Sequence, residues 1–294
     1  MRTIESTQRK SSYLFLLPAT VFVVLALFYP IYSALRISFF DWNLREFTKA
    51  PVFVGLQNFA ELFRDQNFWI SVRVTLVFTL AVVCVEMFTG TVFALLLEEG
   101  IAGLRLFRTL FVLPIMIAPV VVGIVWKFLY NTSYGPINYL IGLAGVKPIE
   151  WLADPSIALV AVIISDVWQW TPFVFLLVLA GLQGIPKELT EAASVDGASY
   201  VQNLIHIKLP SIAQVLGITA ILRLIDAFRS LEVIYNLSYG GPGVSTEVLS
   251  LHLYKTAFAD SRLGLSSSIA VVLLFLIFIL SIPIMWRDVG RKER

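Results

Sequence analysis

Cysteine and histidine are almost missing from this chain. Its 294 residues hold one cysteine, Cys84, and two histidines. A single cysteine excludes an intramolecular disulfide. The three residues lie far apart in sequence and make no metal-ligand spacing, so no metal site is expected. Net charge is also scarce. The formal sum of +2 is too small to hold a polyanion, and nucleic acid is not an expected partner. No Gly-x-x-x-x-Gly-Lys-[Ser/Thr] phosphate loop occurs. No nucleophile or base constellation is visible, so no catalytic residue is assigned and no enzyme is expected. Internal repeats and low-complexity tracts are absent from the sequence as well.

What is present is apolar sequence. Hydrophobic residues make up 58% of the chain and the mean hydropathy is +0.82. A soluble domain runs nearer about 45–50% apolar. A bilayer-spanning helix needs about 20 mainly apolar residues, and six stretches qualify: 13–35, 71–97, 107–130, 157–180, 211–237 and 265–286. Backbone groups in lipid must be satisfied within the segment, so each should be helical. The expected fold class is all-α, a polytopic membrane protein of six transmembrane helices. Prolines 18, 30, 114, 119, 172 and 283 should kink them. A cleaved leader is the alternative for the N-terminus. The run Tyr13–Ile37 exceeds the about 7–15 residues of a leader core, so a retained first span is expected.

An even number of spans puts both termini on one side. Eleven basic residues then fall in that side's segments (Arg2, Arg9, Lys10, Arg105, Arg108, Lys187, Lys208, Arg287, Arg291, Lys292, Arg294) and seven on the other (Arg36, Arg45, Lys49, Arg64, Lys147, Lys255, Arg262). The positive-inside rule makes the termini cytoplasmic. The expected organisation is a cytoplasmic tail at 1–12, a membrane domain at 13–286 with a cytoplasmic insert at 181–210, and a second tail at 287–294. Trp42, Trp69, Tyr130, Tyr134, Tyr139 and Trp151 in the outer segments are expected to form an interfacial aromatic belt.

The insert reads as two short helices. Pro186 suits a first helical position, and Glu188 and Glu191 complement the helix dipole. Gly197 can take the left-handed conformation that ends a helix. Ser199 and Gln202 have capping-box spacing for the next one. Within it, Glu191-Ala192-Ala193 is followed by three residues, Gly197, nine residues, and Ile207-Lys208-Leu209-Pro210. This spacing resembles the coupling loop of permease subunits in binding-protein-dependent ABC importers. Leu16-Leu17-Pro18-Ala19, Tyr29-Pro30, Gly55-Leu56-Gln57-Asn58-Phe59, Phe107-Arg108-Thr109, Leu113-Pro114 and Gly240-Gly241-Pro242 with Thr246 are similar to carbohydrate permeases of the maltose-importer type.

The resemblance implies a type I (MetI-like) permease bundle in the bacterial cytoplasmic (inner) membrane. It implies ATPase coupling through Glu191, Ala192, Ala193, Asp196, Gly197, Ile207, Leu209 and Pro210. The implied partners are a second homologous permease, two ATPase subunits and a soluble or lipid-anchored solute-binding protein, besides membrane lipid and a carbohydrate substrate. The chain needs no cofactor of its own, since ATP and Mg²⁺ belong to the ATPase subunits. Counted from the motifs, Asp166, Trp170, Phe173, Asp226, Arg229 and Ser230 match positions that line the sugar site in maltose-type permeases. Asp166, Trp170 and Phe173 also share a helix face. Arg223, Asp226, Arg229 and Glu232 recur every third residue on span five, so an internal ion-pair ladder is the competing reading. Asp166 is then expected to pair with Arg223 or Arg229, and Glu86 to pack against protein without a partner. An ion-coupled secondary transporter of a small polar solute is the alternative function. It calls for an internal repeat that the sequence lacks.

Overall fold

The computed structural model describes residues 2–46, 48, 50–98 and 104–289, and the side chains of all of these except 2–15, 104–105 and 284–289. Lys49, Arg291, Lys292 and Arg294 therefore lie outside the described residues, as do the side chains of Arg2, Arg9, Lys10, Arg105 and Arg287. In chain order the elements are α1 (Arg2–Ile37), β1 (Phe40–Asp41), β2 (Val52–Phe53), α2 (Gln57–Arg64), α3 (Gln66–Leu96), α4 (Leu104–Met116), α5 (Pro119–Leu129), α6 (Pro136–Leu143) and α7 (Pro155–Gln183). They continue with α8 (Lys187–Val195), α9 (Tyr200–Asn203), a π-helical turn (Leu204–Lys208), α10 (Leu209–Ser211), α11 (Ala213–Phe228), α12 (Glu232–Leu237) and α13 (Leu249–Tyr254). A second π-helical turn (Lys255–Ala259) and α14 (Leu263–Val289) close the chain. Among the described residues, the departures from an all-α fold are the pairing of Phe40 with Phe53 and Asp41 with Val52 and an isolated bridge between Asn43 and Arg262.

Among the described residues, four helices are long and apolar enough to cross a bilayer: Leu16–Ile37, Gln66–Leu96, Pro155–Gln183 and Leu263–Pro283. Two further candidates are bent pairs, Leu106–Met116 with Pro119–Leu129 at 100° and Tyr200–Ser211 with Ala213–Phe228 at 63°. Counting each bent pair as one span gives six. Span three is thus broken rather than kinked. Proline disfavours helical geometry in the residue before it, and Ala118 is extended (φ −59°, ψ 136°) just ahead of Pro119. Span five also stops earlier than expected. Its helix ends at Phe228, and Glu232 opens a separate helix. The Ser250 hydroxyl donates to the Ser230 carbonyl at 2.5 Å, giving that freed backbone group a partner outside the helix.

The chain divides into two compact units, Met1–Asp65 with Leu253–Val272 and Gln66–His252 with Leu273–Arg294. In the first, Gly55 takes φ 58°, and the Asn58 amide donates to the carbonyls of Ser38 (2.8 Å) and Phe40 (2.9 Å). Arg262 forks onto Glu61 at 2.5 and 2.6 Å, which holds the Glu61 carboxyl below its usual range. Exposed to solvent, such a pair adds no more than about 1 kcal/mol.

The second unit is built on α3 against α7. Asp154 caps α7, accepting from the Ser156 N–H at 2.8 Å and its hydroxyl at 2.7 Å. Lipid supplies little hydrophobic drive between helices, so close approach over small residues does the packing. Gly90 of α3 lies directly on Val174 of α7. Thr89 and Thr171 meet at 3.3 Å beside it. Ala94, Val174, Phe175, Val178, Leu179, Leu182 and Ile212 complete this core. Two residues of the expected aromatic belt make polar contacts within the protein. Tyr130 is buried with its hydroxyl on the Ala161 carbonyl at 3.0 Å, and the Trp151 indole donates to Asn138. Both serve the protein interior because each polar tip finds a fixed acceptor there.

A Cβ at Gly90 would come within 2.7 Å of Val174 and 3.0 Å of the Phe175 backbone nitrogen. Gly90→Ala is expected to overpack the crossing at a cost of about 1–3 kcal/mol. Thermal unfolding of the detergent-solubilised protein checks this. The midpoint should fall, and adding Val174→Ala should restore part of the loss; an unmoved midpoint would mean the helices are not this close.

Candidate functional site

Two constellations in the second unit carry the expected functional residues. The first is the insert. Pro186 stands at the N-cap of α8, one residue ahead of the expected position. The helix ends in a Schellman motif: the Ala198 N–H bonds the Ala193 carbonyl, the Gly197 N–H bonds the Ser194 carbonyl, and Gly197 takes φ 79°. The capping box on α9 is complete, with Ser199 and Gln202 each bonding the other's backbone N–H. These local devices fix how the motif is displayed. Glu191, Ala192, Asp196, Gly197 and Pro210 are exposed, Ala193 is buried, and Ile207 and Leu209 are half-buried. Leu209 packs on the Val178–Ile212 core. Val195, 88% exposed, stands between Glu191 and Asp196. The motif is therefore a small, mostly acidic surface with apolar points, held rigidly by its own caps.

The second constellation centres on Arg223, which is 1% exposed. Its Nε and Nη2 donate to the two oxygens of Glu86 at 2.6 and 3.0 Å. Its Nη1 donates to Asp226 at 2.7 Å, and Nη2 lies 3.5 Å from Asp166. The guanidinium carbon sits 4.6 Å above the Trp170 ring, a cation–π distance. Asp226 also receives Arg229 at 3.3 Å. Glu86 thus has a partner, a bidentate one, against the expectation that it had none. A charge buried among apolar helices demands one, but 137 residues separate the pair. The expected four-residue ladder is corrected to Arg223–Asp226–Arg229, because the break after Phe228 places Glu232 on α12.

Beside the guanidinium lie two cavities of about 260 and 500 Å³. The smaller is lined by Trp170, Phe173, Arg223, Asp226 and Arg229 among others. The larger is lined by Pro119, Trp170, Asp226, Arg229, Ser230, Glu232 and Val233. Five of the six expected substrate residues therefore converge. Asp166 lines neither; it is 2% exposed and faces Arg223. Pro119 and Glu232 are lining residues the sequence did not mark. Both sit at helix breaks, and breaks open gaps between otherwise close-packed helices. Gln169, one residue before Trp170, donates to the Ile117 carbonyl at 3.1 Å, satisfying backbone freed at the break between α4 and α5. Between them the two cavities present carboxylates, guanidiniums, a hydroxyl and two aromatic rings, groups that can bond hydroxyls and cover a C–H surface.

The motifs of the outer segments have structural roles. Asn58 clamps backbone as described, and Thr246 bonds both the Gly241 carbonyl (2.9 Å) and the Ser238 hydroxyl (2.7 Å).

Comparison with known proteins agrees with this architecture. The sequence model of the family described as "Binding-protein-dependent transport system inner membrane component" matches residues 14–292. The chain is 37% identical over 273 residues to a probable ABC transporter permease protein, y4oQ, of Sinorhizobium fredii, covering 93% of this chain and 88% of that protein. It is 37% identical over 293 residues to the trehalose/maltose transport system permease protein MalF of Thermococcus litoralis, covering 99% and 97%. Its fold matches a chain in the crystal structure of a bacterial alginate ABC transporter in complex with alginate pentasaccharide-bound periplasmic protein. There the TM-score is 0.81 at 21% identity, over 97% of this chain and 96% of the other.

Removing one member of a buried ion pair strands the other and costs about 3–5 kcal/mol. Glu86→Ala is expected to lower the unfolding midpoint and the yield of extracted protein, and Glu86→Gln to lower them less. Asp166→Ala should behave as a weaker copy of Glu86→Ala, with substrate KM unchanged in the surviving fraction. A raised KM at normal stability would place Asp166 among the ligand contacts instead.

Proposed function

Because the chain belongs to the family of binding-protein-dependent transport system inner membrane components, we propose that it is the permease subunit of an ATP-driven carbohydrate importer. It is a multi-pass membrane protein. Family membership sets aside the ion-coupled alternative. The observation that carries the coupling role is the insert: a Schellman-closed, box-capped surface that displays Glu191, Ala192 and Asp196 and is continuous with α11. The chain has no phosphate loop; on this reading two partner ATPase subunits bind Mg²⁺ and hydrolyse ATP. Glu191 and Asp196 meet basic groups in a groove of the ATPase. Ala192 has no side chain beyond its methyl to hold that surface off.

The carbohydrate reading rests on the cavities at Trp170. Carboxylate oxygens of Asp226 and Glu232 accept hydroxyl protons, Arg229 donates, and the Trp170 and Phe173 rings cover C–H faces. Its support among relatives is the trehalose/maltose system permease. A sugar-loaded binding protein docks on the outer segments. ATP binding draws the ATPase subunits together, the insert moves with them, and the membrane helices open outward around the cavities. Sugar enters, and hydrolysis returns the inward-open state. A second homologous permease completes the pathway, and both termini of this chain are cytoplasmic.

Purification of the assembled complex tests the stoichiometry: a second permease and two ATPase chains should accompany this chain. In sealed vesicles holding the complex, ATP alone, with no ion gradient, should drive uptake of the sugar that thermally stabilises the binding protein. A transport-active homo-oligomer of this chain would overturn the proposal. For Gly197, an added Cβ meets nothing within 4 Å, so Gly197→Val isolates backbone strain at φ 79°, about 1–3 kcal/mol. Gly197→Val and Glu191→Lys should both reduce sugar-stimulated ATP hydrolysis and uptake while the spans still insert. Unchanged activity in both would reduce the insert to a connector.

A further inference from the structure

Lys208 occupies the variable position of the Ile-x-Leu-Pro segment, yet it is 6% exposed. Its Nζ lies 2.8 Å from Glu98 Oε2 and 5.7 Å from the centre of the Tyr200 ring. Glu98 stands two residues beyond the last helical residue of α3. Arg108 closes the same helix end by donating to the Leu97 carbonyl at 2.9 Å. Lys208 is the last residue of the π-helical turn, where the Leu209 N–H bonds the Leu204 carbonyl. A π turn admits one extra residue and re-aims the side chains that follow it.

We propose that the Lys208–Glu98 ion pair is a strut that makes the insert and α3 move as one body, so that displacement of the insert reaches the Arg223 cluster through α3. This rests on the coupling role given to the insert above. Besides α7, whose C-terminal end leads directly into the insert, two connections leave the insert toward the cavities. One is the chain itself, through α10 into α11, but it passes a 63° bend. The helix is interrupted there at Ile212, and a bend of that kind absorbs rotation. The other is Lys208 onto Glu98. Two residues back from Glu98, α3 begins its run from Leu96 to Glu86, a distance of about 15 Å at 1.5 Å per residue. Glu86 grips Arg223, and Arg223 lies under Trp170 at the cavities. A rigid helix with one ionic contact just past its C-terminal end and another at Glu86, about three turns back, is a mechanical link, whereas a bent chain is a hinge. Removing either charge of the strut leaves the other half-buried and unanswered, and frees the insert to turn at Ile212 without carrying α3.

Lys208 and Glu98 act through other groups, and their test reads transmission rather than binding. It uses the assembled transporter in proteoliposomes. Cys84→Ser removes the only native cysteine, and Ser230→Cys places a reporter on the cavity wall. The labelling rate by a membrane-impermeant maleimide is measured without nucleotide and with ATP and vanadate. Phosphate release is followed in parallel without vanadate. In the parent the labelling rate should change between the two states. Lys208→Met and Glu98→Gln should shrink that change about fivefold, the low end for a coupling between sites, while phosphate release continues. Lys208→Arg should keep it, and the reversed pair Lys208→Glu with Glu98→Lys should recover part of it. An intact change in both single variants overturns the strut and leaves the importer standing. A parent whose labelling ignores nucleotide overturns the importer reading itself. If Lys208→Met gives no complex, Glu98→Gln, which keeps side-chain volume, decides alone on the same ratio.

Discussion

A guanidinium buried among apolar helices must have its charge answered within a few ångströms, and Arg223 meets that requirement with carboxylates from three helices. Glu86 comes from α3, Asp166 from α7, and Asp226 from its own helix, one turn on. Desolvating such a group is expensive, so the arrangement fixes where these helices stand. The Thr89–Thr171 contact and the Gly90 crossing lie one turn along α3 from Glu86. That crossing can close only if α3 and α7 keep the register the ion cluster sets. Trp170 is placed in the same stroke, since its ring faces the guanidinium. The cavity wall is therefore a by-product of charge neutralisation. This is an economical way to hold an aromatic plane rigid in a membrane, where hydrophobic burial gives little orientation.

The cavities exist because helices break where the ion cluster ends. The break at Ala118 leaves the Ile117 carbonyl to Gln169, and the break after Phe228 leaves the Ser230 carbonyl to Ser250. Non-helical backbone at membrane depth survives only when protein or a water-lined space satisfies it. Pro119, Ser230 and Glu232, all at these breaks, reappear as the wall of the larger cavity. Ser230 belongs to both sets: its carbonyl is satisfied at the break and the residue lines the wall.

Local chemistry was legible in the sequence and distant pairing was not. Gly197, Ser199 and Gln202 were readable because a left-handed C-cap and a capping box depend on residues within a few positions of each other. Span number followed from apolar length. The break in span five was hidden, since no proline marks it and its outside partner, Ser250, lies 20 residues on. Glu86 was the largest miss. A lone carboxylate in an apolar helix announces that a cation exists, but not which of several it is. Asp166 shows the complementary limit: helical spacing correctly grouped it with Trp170 and Phe173, yet a shared face can point at a buried guanidinium as well as at a cavity. The Gly55–Phe59 motif marked the resemblance without revealing its role. Asn58 there holds backbone, so its identity reports on the scaffold and not on the ligand.

The balance of charge at the cluster bears on what the cavities can accept. Two guanidiniums, Arg223 and Arg229, face three carboxylates, Glu86, Asp166 and Asp226, and Glu232 adds another on the cavity wall. Arg223 is fully engaged by carboxylates and an aromatic ring, so it offers nothing to a ligand. Arg229 is exposed, but Asp226 already shares its charge at 3.3 Å. An anionic ligand would have to displace that contact and sit beside Glu232. A neutral polyhydroxylated ligand needs no such exchange. On the proposed carbohydrate reading it would donate hydroxyl protons to Asp226 and Glu232, accept from Arg229, and lay its C–H face on Trp170. On that same reading, this wall suits an uncharged ligand better than an acidic one. Of the two wall carboxylates, Asp226 is also a partner of the buried Arg223 guanidinium.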